Sequence, residues 1–167
     1  MWIDRRAGQL NILISHISEE ASIADVFKDW IESTFLGQCE VFASSDTEDL
    51  PAGNKWINEI DKTLDSAVAL LVLCSPASLK RPWINFETGW GWIKGVPIIP
   101  ICHSGQKKDE LTPRISTFES LEINSGGFVS DLFSKLAEHL GFEKFPRIDQ
   151  DAMLHELTAA ISSISEK

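Results

Sequence analysis

One carboxylate stands out among the residues that could carry chemistry. Glu87 follows Trp83 by four residues in the segment Pro82-Trp-Ile-Asn-Phe-Glu87. If this segment is helical, both side chains lie on one face of the helix, with Trp90 three residues further on. A carboxylate flanked by indole rings suits a flat ligand that is cationic or glycosidic. The indoles are also compatible with a core role beside a solvated acid, and spacing alone favours that second interpretation.

Other catalytic and metal-binding patterns are missing from the sequence. No Gly-x-x-x-x-Gly-Lys-Ser/Thr phosphate loop and no Gly-x-Ser-x-Gly nucleophile elbow occurs. The run Gly89-Trp-Gly-Trp-Ile-Lys-Gly95 resembles a dinucleotide-binding glycine pattern, but its third glycine is one residue late. A phosphoacceptor receiver domain needs an Asp where the third predicted strand ends in Cys74-Ser75. The four histidines and three cysteines nowhere adopt metal-site spacing, so we expect no metal.

Charge and cysteine content limit the partners and the compartment. The 167-residue chain has 25 acidic and 15 basic residues, a formal net charge of −10. This balance disfavours nucleic acid or an anionic membrane as the main partner, because such binding depends on Lys and Arg. Cys39, Cys74 and Cys102 lie in apolar runs without paired spacing, which favours a reducing compartment. We see no signal peptide and no membrane-length apolar run, and therefore expect a cytoplasmic protein.

Strand-like and helix-like patterns alternate along the chain. We predict strands at 11–15, 40–43, 67–74 and 96–102, with a weaker one at 118–123. We predict helices at 18–36, around 56–64, and at 82–94, 128–140 and 148–164. This alternation implies a mostly parallel sheet covered by helices on both faces.

Local signals refine that outline. Ser18 is expected to cap the first helix, with Glu19 and Glu20 in its first turn. Two prolines in the strand at 96–102 place it near an edge of the sheet or in irregular pairing. Ligands of such sheets lie beyond the carboxyl ends of the strands. Functional residues are therefore expected in the stretches that follow Ser15, Ala43, Cys74 and Cys102.

The same segments, in the same order, resemble the Toll/interleukin-1 receptor (TIR) domain family. Ile12-Leu-Ile-Ser-His16 resembles the opening strand of these domains. The second strand and its loop are matched by Val41-Phe42, Asp46 and Leu50-Pro-Ala-Gly53. The third strand and the Trp-x-x-x-Glu helix are matched by Ala69-Leu-Leu-Val-Leu-Cys-Ser-Pro76, Ser78-Leu79 and Trp83-x-x-x-Glu87. Val96-Pro-Ile-Ile-Pro-Ile101 is similar to the fourth strand.

The resemblance covers about residues 11–140 and implies a flavodoxin-like three-layer sandwich. We expect a parallel sheet of about five strands with helices on both faces, the TIR fold. The expected organisation is an N-terminal extension over residues 1–10, a TIR domain over 11–141 and a C-terminal helical extension over 142–167.

For function, the resemblance implies cleavage of NAD⁺, the substrate, without a further cofactor. NAD-cleaving TIR domains place their catalytic Glu where Glu87 stands. By the same position-by-position comparison, the substrate-binding residues are Trp83, Trp56, Asp46, Ser15 and His16. His16 departs from the pattern, because the NAD-cleaving animal relative has an Arg-rich stretch just after this Ser.

One carboxylate suits this reaction. Ordinary glycosidases usually need a second one to protonate the leaving oxygen. Nicotinamide in NAD⁺ is already cationic at the glycosidic nitrogen and leaves neutral, so Glu87 would need only to hold the ribose hydroxyls and stabilise the charge at the anomeric carbon. Attack by water gives ADP-ribose and attack by an adenine nitrogen gives a cyclic isomer. Both products stay open.

The resemblance favours an immune effector or signal-producing enzyme of the bacterial, anti-phage type. Its implied partners are NAD⁺, other TIR domains through self-association, and a separate sensor or effector protein. The alternative is a non-catalytic TIR interaction module that recruits partners through the loop from Ser44 to Asn54. A third candidate is a nucleoside-processing transferase of similar architecture. The pair of Trp83 and Glu87 favours the enzyme, because an adaptor has no need for an acid there.

Overall fold

The computed structural model describes residues 10–46, 54–144 and 147–166. The strands in these ranges are β1 (Leu10–Ile17), β2 (Cys39–Asp46), β3 (Ala67–Cys74), β4 (Ile98–Cys102) and β5 (Leu121–Glu122). The α-helices are α1 (Ala21–Thr34), α2 (Asn54–Ser66), α3 (Pro82–Ile93), α4 (Phe128–Leu140) and α5 (Gln150–Ser165). Short 3₁₀ turns cover Ser18–Glu20, Ser78–Lys80 and Lys108–Glu110.

The strands form one parallel sheet in the order β2-β1-β3-β4-β5. This confirms the expected α/β fold class. The predicted strand at 96–102 corresponds to β4, which retains Pro100 while Pro97 precedes it, and β4 lies next to the sheet's edge, beside a β5 of only two residues. That position was also predicted, and it follows from the missing amide hydrogen of proline, which a central strand tolerates poorly.

Two apolar layers cover the sheet, and alternation along each strand decides which side chain enters which layer. Ile12 and Ile14 of β1 pack with α1, α4 and α5 on one side of the sheet, and we call this side the α1 face. Leu13 and Ile17 of the same strand pack with α2 and α3 on the other side of the sheet, and we call this side the α3 face. The molecule is therefore a three-layer sandwich whose two faces can carry different polar residues.

Helix α3 lies close against the sheet at Gly91. Pro82 occupies its first turn, where the missing amide hydrogen costs nothing. A Cβ atom built on Gly91 would stand only 2.7 Å from Leu70 Cδ2 of β3. The glycine thus allows helix and sheet to approach, which brings the inward side chains of α3 down onto the strands.

Three local expectations need correction or completion. Ser18 is not the cap of α1: it opens a 3₁₀ turn, and the backbone amide of Ile17 donates instead to Glu20 Oε2 at 3.2 Å. Strand β2 is longer than predicted and continues through Asp46. The last helix, α5, docks on the domain, with Met153 in the core of the α1 face. Within the described ranges, no helix has both the length and the apolar character to cross a membrane.

Candidate active site

The carboxyl group of Glu87 is enclosed between α3 and the carboxyl ends of two strands. Its side chain is 0% exposed. Ser44 Oγ of β2 donates a hydrogen bond to Glu87 Oε1 at 2.6 Å. The other carboxyl oxygen, Oε2, has no hydrogen-bond partner among the described residues. The two oxygens therefore differ: Oε1 has a hydrogen-bond donor of normal geometry, and Oε2 has none among the described residues.

Two serines approach this carboxyl group because of strand register. Ser15 of β1 and Ser44 of β2 are direct partners in the parallel ladder, so both project to the same face of the sheet. Ser15 lies two residues from both Leu13 and Ile17 along β1, so its side chain points to the same face of the sheet as theirs, the α3 face. Its buried hydroxyl has no hydrogen-bond partner of normal geometry among the described residues, but it lies close enough to the Glu87 carboxyl group to lower the pKa of that group as a hydrogen-bond donor does.

Burial changes the acidity of Glu87. Loss of hydration raises the pKa of its carboxyl group from 4.5 to about 7, and the Ser15 and Ser44 hydroxyls oppose that increase. Both protonation states are therefore populated near neutral pH. A carboxyl group with this property can stabilise positive charge when ionised or exchange a proton with a ligand.

An aromatic stack runs along α3, the helix that carries Glu87. Phe86 stacks on Trp83 at a ring distance of 5.9 Å and on Trp90 at 5.9 Å. Trp83 is only 8% exposed and packs in the core of the α3 face, whereas Phe86 is 42% exposed. Trp90 Nε1 donates to Asp61 Oδ1 at 3.1 Å. Trp83 thus has the core role that the sequence left open, and Phe86 offers the exposed ring surface.

The other predicted site residues are not all near Glu87. Alternation directs His16 to the α1 face, opposite Ser15, and its Nδ1 lies 2.7 Å from the Ile17 carbonyl oxygen. Asp46 is the last residue of β2 rather than part of a loop, and Trp56 lies in the first turn of α2. The side chains of Asp46 and Trp56 are outside the described part of the structure, so their predicted contacts stay predictions.

The sequence prediction missed Ser44 as a site residue, because it assigned this serine to the loop after a shorter β2. The sequence did contain a pattern that could have identified Ser44. The runs Ile12-Leu-Ile-Ser15 and Val41-Phe-Ala-Ser44 both carry a serine after three apolar residues, as expected of neighbouring parallel strands that end at the same level. The stacking of Phe86 on Trp83 and Trp90 was also not predicted, although Phe86 is three residues from Trp83 and four from Trp90 on the same helix.

The model of the TIR domain family matches residues 12–140. The chain belongs to the TIR domain family. No curated protein matches this sequence.

Two solved structures are similar to this TIR domain at low identity. One is a protein of Burkholderia pseudomallei described as related to pilus assembly, with 12% identity, 87% of this chain and 98% of that chain covered, and a TM-score of 0.48. The other is the TIR domains of the activated Roq1 resistosome that recognises the effector XopQ, with 12% identity, 95% and 84% covered, and a TM-score of 0.39.

The TIR domain has a second buried polar cluster on the opposite face of the sheet. Glu20 Oε1 accepts a hydrogen bond from Ser75 Oγ at 2.7 Å and lies 3.0 Å from His103 Nε2. All three side chains are buried. They come from the turn after β1 and from the residues directly after β3 and β4. The cluster therefore ties three strand ends together, a role that the sequence did not predict for any of them.

A surface groove of about 710 Å³ lies on the outer side of α3, and Glu87 does not line it. Its walls include Trp92 and Ile93 of α3 and Arg114 and Phe118 of the segment before β5. Trp92 is 68% exposed and Ile93 is 71% exposed.

Among the described residues, no group of three His, Cys, Asp or Glu side chains is placed to hold a metal ion.

Proposed function

We propose that this TIR domain cleaves the nicotinamide–ribose bond of NAD⁺, with Glu87 as the catalytic carboxylate. The observation that carries the proposal is the buried carboxyl group at the carboxyl edge of the sheet. One of its oxygens is held by Ser44, and the other lacks a hydrogen-bond partner among the described residues. Membership of a family that includes NAD-cleaving members supports the choice of substrate.

The reaction needs one negative charge near the anomeric carbon. The C1′–N bond breaks with both electrons going to the nicotinamide nitrogen, so neutral nicotinamide leaves and positive charge develops on the ribose. The Glu87 carboxylate, in its ionised form, stabilises that charge and accepts hydrogen bonds from the ribose hydroxyls. Water then bonds to C1′ and releases a proton, which gives ADP-ribose; attack by an adenine nitrogen gives a cyclic isomer instead.

Several predicted substrate contacts remain part of the proposal. Ser15 acts on the Glu87 carboxyl group and would contact the ribose in this proposal. Trp83 shapes the site from the core and excludes water, while Phe86 can stack on a planar ring. Asp46 and Trp56 are retained as binding residues on the resemblance alone. His16 lies on the other face of the sheet, so the proposal does not use it.

We place this activity in the cytoplasm, as part of an immune response of the anti-phage type. Self-association of TIR domains would activate the enzyme, with a separate protein acting as sensor or effector. Family membership supports this setting, because TIR domains commonly self-associate.

Nicotinamide release by the purified protein tests the proposal. The protein, at high concentration, is incubated with NAD⁺, and nicotinamide is quantified by chromatography. Glu87→Ala and Glu87→Gln should each lower the rate by at least about a hundredfold, because the charge that stabilises the transition state is gone. Glu138→Gln, a matched change at an exposed position of α4, should keep the wild-type rate. Undiminished release by Glu87→Ala would overturn the assignment.

The exposed apolar surface of α3 favours a second candidate, a non-catalytic TIR interaction module. Trp92 and Ile93 present two large apolar side chains to solvent next to a groove. Such surfaces commonly mark protein interaction sites. Light scattering on wild type and on Trp92→Ser distinguishes the candidates. Self-association that depends on Trp92, in a protein that releases no nicotinamide at any concentration, would favour the interaction module over the enzyme.

A further inference from the structure

The two oxygens of the Glu87 carboxyl group have different surroundings. Oε1 accepts a hydrogen bond from Ser44, and Oε2 accepts none from the described residues. We propose that Ser44 is a positioning residue, whose hydroxyl fixes Oε1 so that Oε2 is the oxygen that meets the ribose of the substrate. This inference rests on the proposed function for its ligand and goes beyond it by assigning separate roles to the two oxygens.

The geometry of the contact supports a positioning role. The Oγ–Oε1 distance of 2.6 Å is in the range of a hydroxyl that donates to an ionised carboxylate, about 2.5–2.7 Å. A serine has one side-chain torsion, and its backbone in β2 is held by pairing with Ser15 of β1. Glu87 reaches the contact from a helix through a longer and more flexible side chain. The hydrogen bond therefore restrains the acid much more than it restrains the serine.

The unpaired oxygen supports a ligand at this place. A buried polar atom without a hydrogen bond is unfavourable, because it has lost its contact with water and gained none in return, and more so when it is charged. Glu87 Oε2 has this property within the described part of the chain, in a side chain that is completely buried. A ribose hydroxyl that donates to Oε2 would satisfy it while Ser44 satisfies Oε1.

Two serine hydroxyls act on Glu87, and Ser44 is the one of the two that forms a hydrogen bond of normal geometry with it. Among the described residues, only burial and the hydroxyls of Ser15 and Ser44 shift its pKa, and no charged side chain contributes. Removing the Ser44 hydroxyl removes a donor that favours the ionised form. The pKa of Glu87 should then rise by about one pH unit or more, because hydrogen bonds to charged groups have effects of that size.

The test compares four proteins, namely wild type, Ser44→Ala, Ser44→Thr and Ser45→Ala. Thr retains the hydroxyl and suits a strand, so it should restore the wild-type behaviour. Ser45 is the matched control, since it is the next residue of β2 and alternation directs it to the opposite face. Circular dichroism and thermal melts confirm that each variant is folded.

The first measurement does not depend on catalysis. Carbon-13 NMR of labelled glutamate carboxyl groups follows the titration of Glu87, whose resonance is assigned by its loss in Glu87→Gln. The titration midpoint should rise by about one pH unit in Ser44→Ala and stay unchanged in Ser45→Ala. An unchanged midpoint in Ser44→Ala would overturn the proposal whether or not the protein cleaves NAD⁺.

The second measurement is the pH profile of nicotinamide release. The acid limb of kcat should move upward by the same amount in Ser44→Ala, which corresponds to about a tenfold loss of kcat on that limb for each pH unit. A shifted NMR midpoint with an unshifted kcat profile would refute the positioning role. A shifted midpoint in a protein that releases no nicotinamide would support the Ser44–Glu87 contact and overturn the proposed function, so the two failures are distinguishable.

Discussion

Replacing Glu87 with glutamine should make the folded protein more stable at and above neutral pH. The folded state raises the pKa of this buried carboxyl group from 4.5 to about 7. Between these two pH values the unfolded chain has released the proton while the folded protein still holds it. Folding stability therefore decreases as pH rises through this window, and glutamine, which has no proton to release, avoids the loss.

The size of the effect follows from the pKa change. Each pH unit of difference corresponds to about 1.4 kcal/mol, so the full difference is about 3 kcal/mol in the free energy of unfolding above pH 7. For a chain of this length that is about 6–12 °C in melting temperature. The side chain amide keeps the shape of the acid: its oxygen can accept from Ser44, and its nitrogen can donate to the Ser15 hydroxyl.

Urea unfolding of wild type and Glu87→Gln at a series of pH values measures the difference. Because the isoelectric point is about 4.8, the series should start near pH 5.5, where the protein carries enough charge to stay in solution. From there to pH 8 the variant should gain about 2 kcal/mol on wild type and then level off. Glu138→Gln, exposed on α4, serves as the control and should follow wild type. Parallel curves for wild type and Glu87→Gln would refute the raised pKa.

Three further predictions concern packing, the second polar cluster and assembly. Trp83→Ala should destabilise the fold by about 3–5 kcal/mol in urea unfolding and Trp83→Phe by clearly less, because the indole is buried in the core; equal, small losses would place the ring outside the core. Glu20→Ala should lower the free energy of unfolding by about 3 kcal/mol or more, because it removes three buried contacts. Glu19→Ala, a change at a half-exposed side chain of the same turn, should lower the free energy of unfolding by less than about 1 kcal/mol. Nicotinamide release per protomer should rise with protein concentration and, at low concentration, with added salt, because neighbouring chains of charge −10 repel one another; a flat dilution profile from a strictly monomeric species would show that one chain holds a complete site.

The sequence by itself determined the fold class and the position of the candidate acid. Alternating strand-like and helix-like patterns predicted a parallel α/β sheet. The prolines at 97 and 100 predicted a strand near the edge of the sheet or with irregular pairing, and β4 lies next to the edge strand. Trp83 and Glu87 were predicted to share a helix, and they do. These features depend on residues close together in the chain, where the periods of helices and strands are directly visible.

Tertiary structure alone decided which polar groups meet. Ser44 and Glu87 are 43 residues apart, and Glu20 and Ser75 are 55 apart, so no local pattern connects them. Their contacts depend on strand register and on how closely α3 lies on the sheet. Alternation also separates Ser15 from His16, which the resemblance had placed in one site. Enclosure by the packed layers, finally, is what raises the pKa of Glu87, because a carboxylate loses its hydration only when the whole fold has formed around it.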